Sequence, residues 1–90
     1  METALFPLGE TVITRHALDE LHPEDVKLCL ARHARGDWGD VGENDRRSNQ
    51  IALAQGLRLF SVYTDRTGVV FWIITEADRS ATTVLLPDDY

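Results

Sequence analysis

The hydrophobic pattern of this chain changes period at Gly56, and that change limits the fold more than any other feature. Upstream, Val26, Cys29, Leu30 and His33 recur at the spacing of one helix face. Downstream, Leu57–Thr64 alternates, Val69–Thr75 is apolar at nearly every position, and Ala81–Leu86 runs to a stop at Pro87. Helices first and strands second predict an α+β fold. Two to three N-terminal helices are expected to pack on a C-terminal three-stranded antiparallel β-meander, within one domain over residues 1–90. Thr11–Ile13 is a candidate short edge strand.

The helix boundaries follow from punctuation. Thr14 is a candidate cap for a helix over Arg15–Leu21. Pro23 suits a first helical position, and Glu24 and Asp25 suit the positive end of the dipole. Gly36 is a candidate stop. Asp40, with Glu43 three residues on, fits a variant capping box for a third helix over Val41–Gln55. Its polar first half (Asn44 to Asn49) is expected to be wet and its apolar second half (Ile51 to Ala54) buried. Asp65-Arg66-Thr67-Gly68 has the Asp-first, Gly-last order of a type I turn. Val69–Thr75 is expected in the middle of the sheet, covered on both faces.

Charge then narrows the function classes. Acidic residues outnumber basic ones 15 to 9, a net charge of −6, and Lys27 is the one lysine among the basic residues. A binder of phosphate backbones needs cations to neutralise them, so direct nucleic-acid binding is disfavoured and a basic protein partner is favoured. Cys29 is the one cysteine, which allows no internal disulfide and fits a cytoplasmic location. No apolar run spans a bilayer, and Met1–Gly9 lacks the basic start of a secretory leader. Nothing in the pattern implies a cofactor or a metal.

Two groups of residues carry the candidate chemistry. The first is Arg32 to Asp40, where His33 is a candidate general base, Asp37 or Asp40 its orienter, and Arg32 or Arg35 an anion clamp. Trp38 lies among them. The alternative is structural: His33 as a hydrogen-bonded core residue, Asp40 as a cap, Trp38 as a lid over the core. A metal held by His33, Asp37 and Asp40 lacks a second His or Cys. Arg35-Gly36-Asp37 matches an adhesion tripeptide, which carries no weight in a chain without a leader. The second group surrounds the turn at Glu76–Ser80. Here Arg79 is a candidate anion site beside Thr82 and Thr83, and the alternative is a local Asp78–Arg79 pair. Arg35, Asp37, Trp38, Asp40, Asp78 and Arg79 are thus the candidate binding residues. His33, Arg79 and Thr83 are the candidate catalytic ones. Ser61 lacks a G-x-S-x-G setting and Cys29 lies on an apolar stripe, so neither reads as a nucleophile. Tyr90 either pins the tail to the body or meets a partner.

The segments Ala31 to Asp40 and Trp72 to Pro87 resemble a family of short bacterial proteins found on plasmids and other mobile elements. Members are sometimes labelled "type I restriction endonuclease subunit M". The likeness runs from about Phe6 to Tyr90. A methyltransferase subunit needs a cofactor domain with a glycine-rich loop, which these ninety residues lack. The resemblance carries no activity of its own; with the small size, the negative charge and the lack of a cofactor motif, its setting points to a non-enzymatic interaction or regulatory protein of mobile elements, an inhibitor or regulator of a nucleic-acid-processing complex. A looser architectural likeness is to small ribonuclease toxins of the RelE, barnase and colicin class. That likeness implies a metal-independent ribonuclease, with His33, Arg58, Tyr63, Arg79 and Thr83 lining a sheet face. Convergence of His33, Arg79 and Thr83 in one cleft is the discriminating observation. A homodimer through an unpaired edge at Leu57–Thr64 or Ala81–Leu86 is a further expectation.

Overall fold

A computed structural model describes residues 4–90. The elements run β1 (Glu10–Ile13), α1 (Arg15–Glu20), α2 (Pro23–Ala34), α3 (Glu43–Gln55), β2 (Leu59–Thr64), β3 (Val70–Thr75) and β4 (Ala81–Leu85), followed by a 3-10 turn at Pro87–Asp89. β2, β3 and β4 pair antiparallel, with Leu59 opposite Thr75 and Thr75 opposite Thr82. β1 pairs parallel to β4, with Glu10 opposite Ala81 and Ile13 opposite Val84. The sheet is therefore four-stranded and mixed, in the order β1-β4-β3-β2. This corrects the expected three-stranded, purely antiparallel meander. The physical reason is the length of the crossover. A parallel partner needs a long return connection, and here the chain from Thr14 to Ser80 supplies it with all three helices inside. β-branched Thr11, Val12 and Ile13 suit a strand, but four residues give too little alternation to announce where they pair.

The helix signals behave as their chemistry dictates at two of three starts. Thr14 accepts the Ala17 N–H at 3.1 Å and caps α1. Pro23 opens α2, and the Asp37 N–H to Arg32 carbonyl bond (2.9 Å) and the Gly36 N–H to His33 carbonyl bond (3.1 Å) close it in the six-to-one, five-to-two pattern of a Schellman end. α3 differs. Its cap is Gly42, without a side-chain bond, and Asp40 instead faces the Thr64 hydroxyl at 3.4 Å. The capping-box expectation is thus corrected, because Val41 is drawn into the core and shifts the helix start.

α3 keeps the expected division, with Asn44 to Ser48 exposed and Ala52 buried, and departs from it at two positions. Ile51 in its apolar half is exposed, whereas Asn49 in its polar half is buried. Asn49 is buried because it acts as a strand. Its amide group donates to the Phe60 carbonyl (2.7 Å) and its oxygen accepts the Phe60 N–H (3.1 Å). Residue 62 is sealed the same way: its N–H reaches the Trp38 carbonyl (3.1 Å), and its carbonyl accepts the Asp40 N–H (2.7 Å). The outer edge of β2 is therefore covered, and the outer edge of β4 is covered by β1. Neither edge expected for dimer pairing is open, and β1 ends the sheet on that side.

The two faces of the sheet differ. Leu59, Ser61 and Tyr63 of β2, Phe71, Ile73 and Thr75 of β3, and Thr82 and Val84 of β4 all lie buried on one face; Tyr63, Phe71, Ile73 and Val84 pack with residues of α1 and α2, and Leu59 packs with Ala52 of α3 and Trp38. The other face carries Phe60, Val62 and Thr64, then Val70, Trp72 and Ile74, then Ala81, Thr83 and Leu85. β3 was expected to be covered on both faces; Val70 is 44% exposed, but Ile74 on the same side is buried, and the first turn of α3 reaches this side at Asp45. Tyr90 folds back onto it, with its ring 5.7 Å from that of Trp72.

Candidate functional site

His33 is fully buried, and both of its ring nitrogens are taken. Nδ1 meets the Ser61 hydroxyl and Nε2 meets the Thr75 hydroxyl at 2.9 Å. Thr75 meets Thr82 at 2.7 Å, and Thr82 donates to the Leu8 carbonyl at 2.7 Å. A carbonyl can only accept, so every proton in this chain is assigned from that end. Thr82 gives its proton to Leu8, so Thr75 must donate to Thr82. His33 Nε2–H must then donate to Thr75. Nδ1 is left as an acceptor for Ser61. The imidazole is neutral with its proton on Nε2. Burial pushes its pKa down to about 4, and the nearby Arg79 charge acts in the same direction. A serine hydroxyl on an imidazole nitrogen is the arrangement of an activated nucleophile. Here Ser61, His33, Thr75 and Thr82 have no exposure to solvent, so no substrate reaches them.

Arg79 is close enough to act on His33 but points elsewhere. Its guanidinium donates to the carbonyls of Leu57 (2.6 Å), Glu76 (3.0 Å), Ala77 (3.2 Å) and Ala52 (3.1 Å). It also lies over the Phe6 ring at 5.6 Å. Arg79 therefore bolts the β3–β4 turn to the carboxyl end of α3, where a cation is favoured. Its backbone sits at φ 62°, a conformation held by these bonds. The expected anion site and the expected Asp78–Arg79 pair are both corrected. The donors face carbonyl oxygens, and Asp78 accepts the Ser80 N–H at 3.0 Å. Thr83 stands on the opposite face of the sheet from His33. The three candidate catalytic residues do not converge. The face expected to hold Arg58, Tyr63 and these three is likewise divided, since Tyr63 is buried under the helices and Arg58 flanks the open side.

The Arg32 to Asp40 loop is used in folding. Arg32 pairs with Asp37 at 2.8 Å and stacks over the Tyr63 ring at 4.8 Å. The Tyr63 hydroxyl donates to the Asp37 carbonyl. Hydrogen bonding from Arg32 holds the Asp37 carboxyl below the usual range against the opposing effect of burial. Gly39, at φ 72°, lies so close to β2 that a Cβ would collide with the Val62 carbonyl and the Tyr63 ring. Trp38 is buried between Phe6 and His33, and its indole N–H has no acceptor among the described residues. Arg35 is exposed at the end of α2. His33, Asp37 and Asp40 do not assemble as metal ligands. His33 is held by hydroxyls and Asp37 by Arg32.

Two accessible hollows stand out among the described residues. One, of about 290 Å³, is lined by Asp25, Leu28, Cys29, Arg32, Thr64, Asp65 and Arg66. Its charges are matched internally: Arg66 pairs with Asp25 at 2.9 Å and Arg32 with Asp37. Burial would raise the Asp65 carboxyl, but bonds from the Thr67 hydroxyl and the N–H groups of Val69, His22 and Thr67 hold it at about 2. Burial pushes the Cys29 thiol up, against the influence of Arg32, so the nucleophilic thiolate is disfavoured. The other, of about 220 Å³, opens on the sheet face opposite α1 and α2, beside the first turn of α3. Asp45, Arg58, Phe60, Trp72, Ile74 and Tyr90 line it.

That second cleft was not among the sequence candidates, although Arg58 and Tyr90 were each singled out. The signal was present in the alternation. Phe60 falls opposite the face of Leu59 and Ser61, and a continuously apolar β3 must place Trp72 beside it. What alternation does not reveal is which face the helices take. No family model, no curated protein and no solved structure matches the chain.

Proposed function

We propose that this chain is a non-catalytic interaction module that docks a protein partner on the sheet face opposite α1 and α2. One observation carries the reading. The residues with catalytic potential are enclosed or bonded to backbone, while the accessible aromatic cleft lies on the face away from α1 and α2, bounded by the first turn of α3. An exposed patch that joins aromatic and aliphatic side chains is a common mark of an interaction site. The net charge of −6 favours a basic partner. The family resemblance supplies the setting to test first: an inhibitor or regulator of a nucleic-acid-processing complex carried by mobile elements. The ribonuclease reading needs His33, Arg79 and Thr83 in one cleft, and the fold places His33 and Thr83 on opposite sides of the sheet.

The test is affinity capture from host lysate with nuclease present, comparing the native chain with Thr83→Arg on the open face and Leu28→Arg on the helical side. Circular dichroism verifies folding of each. A stoichiometric protein held by the native chain and by Leu28→Arg, but lost with Thr83→Arg, is the expected result. A partner insensitive to Thr83→Arg, or cleavage of RNA by the purified chain, overturns the reading.

A further inference from the structure

We infer that the cleft between α3 and the open sheet face is a receptor for an arginine side chain of the basic partner. The inference rests on the docking face proposed above and names its chemistry. At about 220 Å³ the cleft is smaller than the roughly 300–1,000 Å³ of small-molecule sites, so it suits a single side chain. Three rings form its walls. Phe60 meets Trp72 edge to face at 5.2 Å and 81°, and Trp72 meets Tyr90 at 5.7 Å and 66°. Ring faces attract cations through their quadrupole, and guanidinium planes stack on them well.

Electrostatics select the sign. Asp45 lines the cleft from the first turn of α3 and has neither an ion pair nor a hydrogen bond among the described residues. Its counterpart Arg58 is already matched: it pairs with Glu76 at 3.8 Å and donates to the Tyr90 hydroxyl at 2.9 Å. The carboxylate is therefore the unmatched charge of the cleft. Arg58 also shows that these walls accept the group in question, because its guanidinium lies over the Tyr90 ring at 5.6 Å. A flat nucleobase would also stack on Trp72. Its phosphate, however, would meet Asp45 and a chain of net charge −6.

The two tryptophans make the test internal. Trp72 lies in the cleft and Trp38 in the core, so their indole N–H signals in a nitrogen-15 correlation spectrum report binding and its control in one sample. The probe is a blocked Ala-Arg-Ala peptide. The comparison ligands are the same peptide with citrulline, which keeps the shape without the charge, and an oligouridylate. The arginine peptide is expected to shift Trp72 saturably and leave Trp38 in place. Asp45→Asn, an exposed change, is expected to weaken that binding about fivefold. An unmoved Trp72, an equal response to citrulline, indifference to Asp45→Asn, or a stronger response to oligouridylate each overturns the inference. If Thr83→Arg still abolishes partner capture while the peptide leaves Trp72 unmoved, the docking face stands and only the arginine receptor falls.

Discussion

The two faces of one sheet use similar residues in opposite ways. On the helix-covered face, Ser61, Thr75 and Thr82 join His33 in a chain of hydrogen bonds in which every proton has one destination. On the open face, a register step of one residue away, Asp45, Arg58 and Glu76 stand in solvent around an aromatic cleft, and one of them has no partner. Polar residues inside must be satisfied for the fold to exist, so they are fixed by it. Polar residues outside carry no such obligation and remain available to another molecule. The residue types that look most like chemistry, histidine, serine and buried threonines, are here the least available for it.

The contrast can be broken first at the loop that seals β2. Gly39→Ala places a methyl group against the Val62 carbonyl at a positive φ, and it is expected to cost about 4 kcal/mol in chemical denaturation. A loss under about 1 kcal/mol would mean that the loop is not docked as described.

Acid tests the covered face next. The folded His33 pKa, about 4, lies below the ordinary 6.5. An unfolded chain therefore takes up a proton on this ring below pH 6.5, while the folded chain resists until about pH 4. The stability contributed by neutral burial is complete above pH 6.5. It falls as pH drops, by about 1.4 kcal/mol per unit, to a total loss of about 3 kcal/mol. The carboxylates held low, Asp25, Asp37, Asp65, Asp78 and Asp89, contribute above their ordinary 3.8 and are lost only below it, so the two windows separate. Denaturation midpoints across pH 4 to 6.5 are expected to slope for the native chain and to flatten for His33→Gln.

The smallest and sharpest comparison uses one substitution on both faces. Val84→Thr adds a hydroxyl to the covered face and is expected to cost about 2 kcal/mol. Val70→Thr makes the same change on the open face and is expected to stay within about 0.5 kcal/mol. Equal costs would erase the distinction between the faces.

Much of the local structure was legible because it is set by near neighbours. Thr14, Pro23 and Gly36 mark helix ends through their own backbone chemistry. Asp65 to Gly68 turns because the Asp65 carboxylate accepts the N–H groups of Thr67 and Val69, while its backbone carbonyl takes the Gly68 N–H. The alternation in β2 placed Leu59, Ser61 and Tyr63 together on a buried face. What stayed hidden depends on distant partners. Asn49 is polar in sequence and buried in structure because it bonds the backbone of Phe60. Asp40 had a local role on paper, but the docking of Gly39 on Val62 moved it. Arg79 reads as an anion binder until four carbonyls, from α3, the loop after it and the β3–β4 turn, surround it. No local pattern gives the partner of β1, since strand pairing at that range is fixed by where the helices bring the chain back.

That pairing has a consequence in time. During synthesis Glu10–Ile13 emerges well before Ala81–Leu85, the strand it needs. Thr14 waits as well, because its hydroxyl donates to Asp89 at 2.7 Å while it caps α1. A nascent chain with its helices and the β2–β3 hairpin already formed still lacks β4, the strand that β1 pairs with. Closing so long a loop is slow, and until β1 arrives the flank of β4 is bare to other chains. The step that completes the sheet is therefore also the one that protects the protein from self-association while it is being made.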